Sequence, residues 1–276
     1  MMQGLRRVPG LVRLVRSARS SWDRVRPYRL PRYLETTPSI GGGDPLDPFL
    51  PPTALTLGAA AMSPEAVAFV DGLLEKLTPI DGGDGTRFLY QWSQAKFGKY
   101  WRYADILTTL WAAATFVQPQ HYLEIGVCRG RSAAVVGAVC ADCAIYGFDL
   151  WTPDYAGAPN PGPEFVRGEL RAAGHGGSVV LLSGDSRETL PAFLRDHPGL
   201  HFDLITIDGD KSVPGFASDL ANALPRLKVG GVAVCDDLQV APALRRVWAR
   251  RSCGETVVTR RGSSRRAAWV SRPPSG

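Results

Sequence analysis

The sequence predicts an α/β fold: a Rossmann-like doubly wound sheet, mostly parallel with an antiparallel last strand, preceded by an N-terminal helical extension. Three observations carry this. Five short apolar runs, at 121–127, 144–150, 178–184, 202–208 and 231–236, recur with helical stretches between them. Each is bounded by turn residues, as strands buried on both faces of a parallel sheet are. The chain closes with Glu255-Thr-Val-Val-Thr259 and Ala267-Ala-Trp-Val270, separated by the polar stretch Arg260–Arg266, which reads as a terminal hairpin.

Taken in order, residues 1–35 carry nine arginines against Asp23 and Glu35. Leu5, Val8, Leu11, Val12, Leu14 and Val15 allow a short basic amphipathic helix, which Pro9 and Gly10 weaken. A disordered arm is the default reading; a membrane-surface helix and a transit peptide are the alternatives. Residues 36–62 are rich in Pro and Gly and read as linker. Ser63 as N-cap, Pro64 at the first position and Glu65 in the first turn start a helix that runs to about Leu77. Gly82-Gly-Asp-Gly85 breaks the chain. A second helical stretch runs from Tyr103 to about Phe116 and ends before Pro119. Helices then fall near 131–141, 163–173, 188–196, 214–226 and 240–251. The expected division is a basic arm and linker over 1–62, largely disordered, a helical cap over 63–118 and the α/β domain over 119–272.

Composition is that of a globular protein, with 45% hydrophobic and 21% charged residues in 276. No apolar run reaches the roughly 18 residues of a membrane span. The net charge of +6 hides an asymmetry. Residues 245–276 carry nine arginines against Glu255, while 36–244 hold 14 basic and 23 acidic residues. An acidic core argues against a built-in nucleic-acid groove and leaves a peripheral contact with an anionic surface through the ends. Five cysteines, with Cys140-Ala-Asp-Cys143 a lone pair lacking a suitably spaced His, do not make a zinc site. Reduced thiols and a cytoplasmic location are expected. None of the four histidines is assigned a catalytic role.

The chemistry-bearing residues sit at strand ends. Asp208 follows Phe202-Asp-Leu-Ile-Thr-Ile207, and Asp236-Asp237 follow the strand that opens at Gly230-Gly231. Neighbouring strands would bring three carboxylates and Lys211 to the carboxyl edge, where open α/β sheets bind ligands. Three hard oxygen ligands suit Mg²⁺ or Ca²⁺, and the lysine is placed to take a proton from a hydroxyl. The competing reading makes each Asp a helix cap or turn former. At the first strand, Glu124-Ile-Gly126-Val-Cys128-Arg-Gly130-Arg-Ser132 leads into a helix, and its glycines allow a ligand close to the backbone. The dinucleotide fingerprint does not fit, since Cys128 and Arg131 occupy its second and third glycine positions. The second strand ends at Asp149 and the third at Gly184-Asp185-Ser186.

An acid, a glycine two positions on and a glycine four further resemble motif I of the class I S-adenosylmethionine-dependent methyltransferases. The resemblance covers about 121 to 271. It implies that Glu124, Gly126, Gly130 and Ser132 form the loop at the methionine end of S-adenosyl-L-methionine. Asp149 would then hold the ribose, Asp185 and Ser186 the adenine side, and Asp208 would close the cofactor set. Asp208-Gly-Asp-Lys211 with Asp236-Asp237 looks like the metal-dependent O-methyltransferases, among them the caffeoyl-CoA and catechol enzymes. There the matching acids bind Mg²⁺ and the lysine is the base. That implies Asp208, Asp236 and Asp237 as metal ligands and Lys211 with Asp208 as catalytic residues. Asp237 replaces the Asn of the plant enzymes. The words Phe148-Asp149-Leu-Trp151-Thr-Pro-Asp154-Tyr155 look closer to a broad bacterial family with macrolide-sugar O-methyltransferases as relatives, in which His often stands where this chain has Lys211.

The expected reaction is methyl transfer to a hydroxyl on a small molecule or sugar, with Mg²⁺ lowering the hydroxyl pKa. A lysine among carboxylates tends to stay protonated, which opposes the base role. The rivals are a metal-independent methyltransferase and a non-catalytic methyltransferase-like domain held by its Arg-rich ends on a membrane or an acidic partner. A nucleic-acid substrate is disfavoured by the acidic core and the lack of an Asn/Asp-Pro-Pro-aromatic motif. A homo-oligomer is compatible with the sequence. Trp151, Tyr155 and the loop 152–163 read as a lid or as a packed surface loop. Trp101, Tyr103 and Trp111 read as a roof over the cofactor or as core.

Overall fold

The structure, a computed structural model, describes residues 54–80, 83–154, 159–238, 241–251, 255–258 and 268–271. The readings placed on 1–53, on the hairpin turn and on Tyr155 lie outside these residues. Among the described residues no helix is long and apolar enough to cross a membrane.

Helices α1 (Ala54–Ala61), α2 (Pro64–Lys76), α3 (Gly85–Phe97) and α4 (Ile106–Val117) precede the sheet. Then follow β1 (His121–Ile125), α5 (Arg131–Val139), β2 (Ala144–Asp149), α6 (Pro163–Ala172), β3 (Val179–Ser183) and α7 (Ser186–Asp196). The chain continues through β4 (Phe202–Ile207), α8 (Val213–Ala223), β5 (Leu227–Cys235), α9 (Pro242–Arg251), β6 (Glu255–Val258) and β7 (Ala268–Ser271). Ser63 caps α2 by accepting from the Ala66 N–H at 3.1 Å, as its position before Pro64 predicts.

Two stretches depart from expectation. Ala54–Ala61, read as linker, is helical: Ala-Leu-Thr-Leu-Gly-Ala-Ala-Ala has high helix propensity despite Gly58, and Leu57 and Ala61 are buried. The stretch Gly83-Asp-Gly85 does not merely break the chain. Asp84 accepts a hydrogen bond from the Arg87 N–H at 3.0 Å and so starts α3, which sequence reasoning missed.

The strand order is β3-β2-β1-β4-β5-β7-β6. The first five are parallel neighbours, while β5–β7 and β6–β7 pair antiparallel. The order reverses beside β1, the switch point at which such sheets open a crevice. Alternate residues face opposite layers. Leu123, Ile125, Phe148, Ile205, Ile207 and Cys235 join the core under α7, α8 and α9. Tyr122, Ile145, Leu204, Val232 and Val234 join the core under α2, α4 and α5.

Register places the site. Ile125 pairs with Phe148 on one side and Ile207 on the other, and Ile207 pairs with Cys235. The four residues that follow, Gly126, Asp149, Asp208 and Asp236, therefore emerge along one edge. The ladder runs one step further, with Gly126 N–H on the Phe148 carbonyl at 2.8 Å and Asp208 N–H on the Ile125 carbonyl at 2.8 Å.

Candidate active site

A cavity of about 1130 Å³ opens along this edge. Of the sequence-predicted residues, Gly126, Ser132, Asp149, Asp185, Ser186, Asp208, Lys211, Asp236 and Asp237 line it. Glu124 and Gly130 do not.

Three carboxylates converge as their strand ends require. Asp208, Asp236 and Asp237 each offer an oxygen within 4.8 Å of the others. The Lys211 ammonium bonds Asp208 and lies 3.5 Å from Asp237. Burial pushes the Asp208 carboxyl up to about 6, against the pull of Lys211. For Lys211 burial works against the charge, but Asp208, Asp237 and Asp236 outweigh it and raise the pKa above its ordinary value. The lysine is therefore an ammonium ion, the internal counter-ion of the acids. Cys128 and Asp237, both at the cavity, have φ of 50° and 61°, a left-handed backbone that costs energy and concentrates at binding sites.

The glycine loop is tied at both ends. Gly126 has φ 86°, and a Cβ there would lie 2.4 Å from the Asp208 carbonyl oxygen, so β1 and β4 touch through a position only glycine fills. Gly130 has φ 76° and packs on α6, where a Cβ would meet Val166 at 2.8 Å; it serves the start of α5 rather than the cavity surface. Glu124 shares the face of Tyr122 and is fully buried behind the loop, beside Ser132 and Tyr122. Burial pushes its carboxyl up to about 8.

Asp149 spends its carboxylate on backbone: one oxygen accepts the Cys128 N–H at 2.7 Å and the other the Trp151 N–H at 2.6 Å. Asp185 caps α7 through the Arg187 N–H at 2.9 Å and also pairs with the Arg187 side chain, which holds its pKa below the ordinary range. The Ser186 hydroxyl donates to buried Asp219 at 2.7 Å. The Trp151 indole donates to Ser183 Oγ at 2.9 Å, while Leu150, Thr152 and Asn160 of that loop line the cavity. Trp111 packs on Phe69, whereas Tyr103 lines the cavity and stacks on Trp101.

The sequence offered the stretch from Tyr103 as a roof, and Tyr103 does line the opposite wall, but Thr86 and Leu89 of α3 and Asp105, the N-cap of α4, which complete the cavity, were not singled out. Asp105 accepts from the Tyr90 hydroxyl at 3.0 Å and from the Leu107 and Thr108 N–H groups. Its carboxyl is nonetheless pushed up to about 6 by burial. Arg131 bonds the Asp84 carboxylate, and Arg129 donates to the carbonyls of Pro159 at 3.0 Å and Pro79 at 3.4 Å. Both arginines leave the glycine loop to clasp the wall. Their only sequence signal was position beside Gly130.

Residues 123–238 match the profile of a methyltransferase-domain family. A comparison with curated protein sequences finds no match. Among solved structures, the chain resembles the TDP-rhamnose 3'-O-methyltransferase CalS11 of calicheamicin biosynthesis in its apo form. The two share 21% identity, with 76% of this chain and 95% of that one covered and a TM-score of 0.50. It also resembles the O-methyltransferase NovP, at 16% identity, with 76% and 97% covered and a TM-score of 0.52. At these identities the likeness shows the fold.

Proposed function

We propose, on the premise that residues 123–238 form a class I S-adenosylmethionine-dependent methyltransferase domain, that the chain methylates a hydroxyl of a small molecule or sugar with the help of a divalent ion. The observation that carries the metal is the convergence of Asp208, Asp236 and Asp237 within 4.8 Å. The donor set fits Mg²⁺ by its chemistry: three converging carboxylates are hard oxygen donors, and Asp208, Asp236 and Asp237 would hold the ion.

S-adenosyl-L-methionine, when bound, supplies the methyl group, and Mg²⁺ supplies charge that lowers the pKa of the acceptor hydroxyl. The chain's own residues do the rest. Gly126, Cys128 and Ser132 give the loop surface that would hold the cofactor, with Glu124 and Gly130 supporting that loop from behind. Asp149 fixes the loop and, with Asp185 and Ser186, borders the nucleoside end. Lys211 Nζ is the proton acceptor. It would gain that role if Asp208 and Asp237 held an ion, since they would then stabilise its ammonium form less. Asp105, Tyr103, Thr86 and Leu89 face the acceptor. We place the acceptor-side cap over 63–118 and the enzyme in the cytoplasm.

One observation favours a metal-independent variant: Lys211 already neutralises Asp208 and Asp237 without an ion. Isothermal titration separates the two. S-adenosylhomocysteine should bind with Mg²⁺ and with EDTA, and Mg²⁺ alone should bind the wild type but not Asp208→Asn/Asp236→Asn. Cofactor binding with no specific metal site selects the metal-independent reading, and no cofactor binding under any condition removes both.

A further inference from the structure

Helix α3 and the turn after it, residues 85–102, hold Arg87, Lys96, Lys99 and Arg102 and no acid. Their outer surface is aromatic. Phe88, Trp92, Phe97 and Tyr100 are 67%, 46%, 44% and 79% exposed. Phe88 and Trp92 are four apart and adjacent on the helix. The Trp92 and Phe97 rings meet edge to face at 6.0 Å. The Lys96 ammonium sits 4.5 Å from the Trp92 ring and 5.4 Å from Phe97, and that of Lys99 5.5 Å from Tyr100. Arg87 is turned inward onto the Leu74 and Leu77 carbonyls and takes no part. Large rings left in water beside the cations of their own segment are an unsatisfied surface.

We propose that this face docks on a bilayer surface containing anionic lipids, with the four rings at the headgroup level and Lys96, Lys99 and Arg102 against lipid phosphates. Aromatic side chains favour that interface, and lysines extend their charge from it towards phosphate. A second copy fits poorly: in a two-fold contact the patch would meet itself, cations against cations. The chain's own arginine-rich ends carry the same sign. A single-stranded nucleic acid needs open ring faces for stacking, but Lys96 lies over Trp92 and the neighbouring rings stand at 85°. Since Thr86 and Leu89 on the same helix line the cavity, the docked helix is also a wall of the site. The proposal stands independently of the methyl-transfer reading.

The test is co-sedimentation of the full chain with phosphatidylcholine vesicles, with and without phosphatidylglycerol, at low and high salt. Two variants are compared, Phe88→Ser/Trp92→Ser and Lys96→Glu/Lys99→Glu, each checked for an unchanged circular dichroism spectrum and urea unfolding midpoint. Wild type should bind the anionic vesicles, lose binding at high salt, and bind at least about tenfold more tightly than either variant. Four results would overturn the proposal. They are no vesicle binding, equal binding by the variants (which would assign it to the arginine-rich ends), binding of single-stranded RNA without vesicle binding, and a patch substitution that changes only the oligomeric state.

Discussion

Gly126 is where the glycine loop and the acid cluster share one backbone contact. A methyl group there is doubly opposed, by φ of 86° and by the Asp208 carbonyl 2.4 Å away. Gly126→Ala should cost about 1–3 kcal/mol in urea unfolding and weaken S-adenosylhomocysteine binding; unchanged affinity would show that the contact does not shape the loop. Glu124 titrates in the opposite sense to a salt-bridged acid. Its folded pKa is raised from 4.5 to about 8. Between those values the unfolded chain has released a proton that the folded chain keeps, so stability falls as pH rises through the window and levels off above it. Glu124→Gln stays neutral throughout. Its stability relative to wild type should therefore climb between pH 5 and 8 by at most about 1.4 kcal/mol per pH unit, and denaturant melts showing a constant gap would refute the assignment.

At the scale of elements, the clasp between Asp84 at the head of α3 and Arg131 at the head of α5 holds the cavity wall to the sheet. Both side chains are largely buried, so removing one strands the other. Arg131→Ala should cost about 3 kcal/mol, and Asp84→Ala about as much plus its cap. The double variant should lose clearly less than the sum, and additive losses in a double-mutant cycle would mean the pair is not coupled. The same elements show what the sequence made legible. Apolar runs with turn residues at both ends marked all five parallel strands; β1, β4 and the end of β5 are buried on two faces and tolerate little else, while the edge strand β3 is apolar yet only half-buried. Asp208 and Asp236 followed from strand ends, because register sets them side by side, and Asp237 joins them through its left-handed backbone. Helix α3 was hidden because the Asp that caps it, Asp84, sits among glycines that read only as a break. Spacing also does not say which way a side chain points. Glu124 and Gly130 fit the motif yet face inward, while Arg129, Arg131 and Asp105 reach the cavity through contacts distant in sequence.

For the molecule as a whole, acids outnumber bases at the cavity. Asp105, Asp149, Asp185, Asp208, Asp210, Asp236 and Asp237 line it with Arg129, Arg131, Arg187 and Lys211. An acidic, partly buried site attracts a sulfonium cofactor more than its neutral thioether product, and salt screens that difference. Titrations at rising ionic strength should weaken S-adenosylmethionine more than S-adenosylhomocysteine; parallel salt dependence would show that the field does not discriminate them. Mg²⁺ should raise the melting temperature of wild type by mass action and leave Asp236→Asn unmoved, as thermal scans would show. The clasp has a further consequence for how such an enzyme diversifies. The cavity wall built on α3 and the head of α4 arrives before β1 in the chain and is fastened to the glycine loop through Asp84, Pro79 and two arginines. On the proposed reading, in which this wall faces the acceptor, substrate choice can be exchanged as a cassette: a graft spanning the wall keeps the chemistry intact as long as its aspartate still finds Arg131.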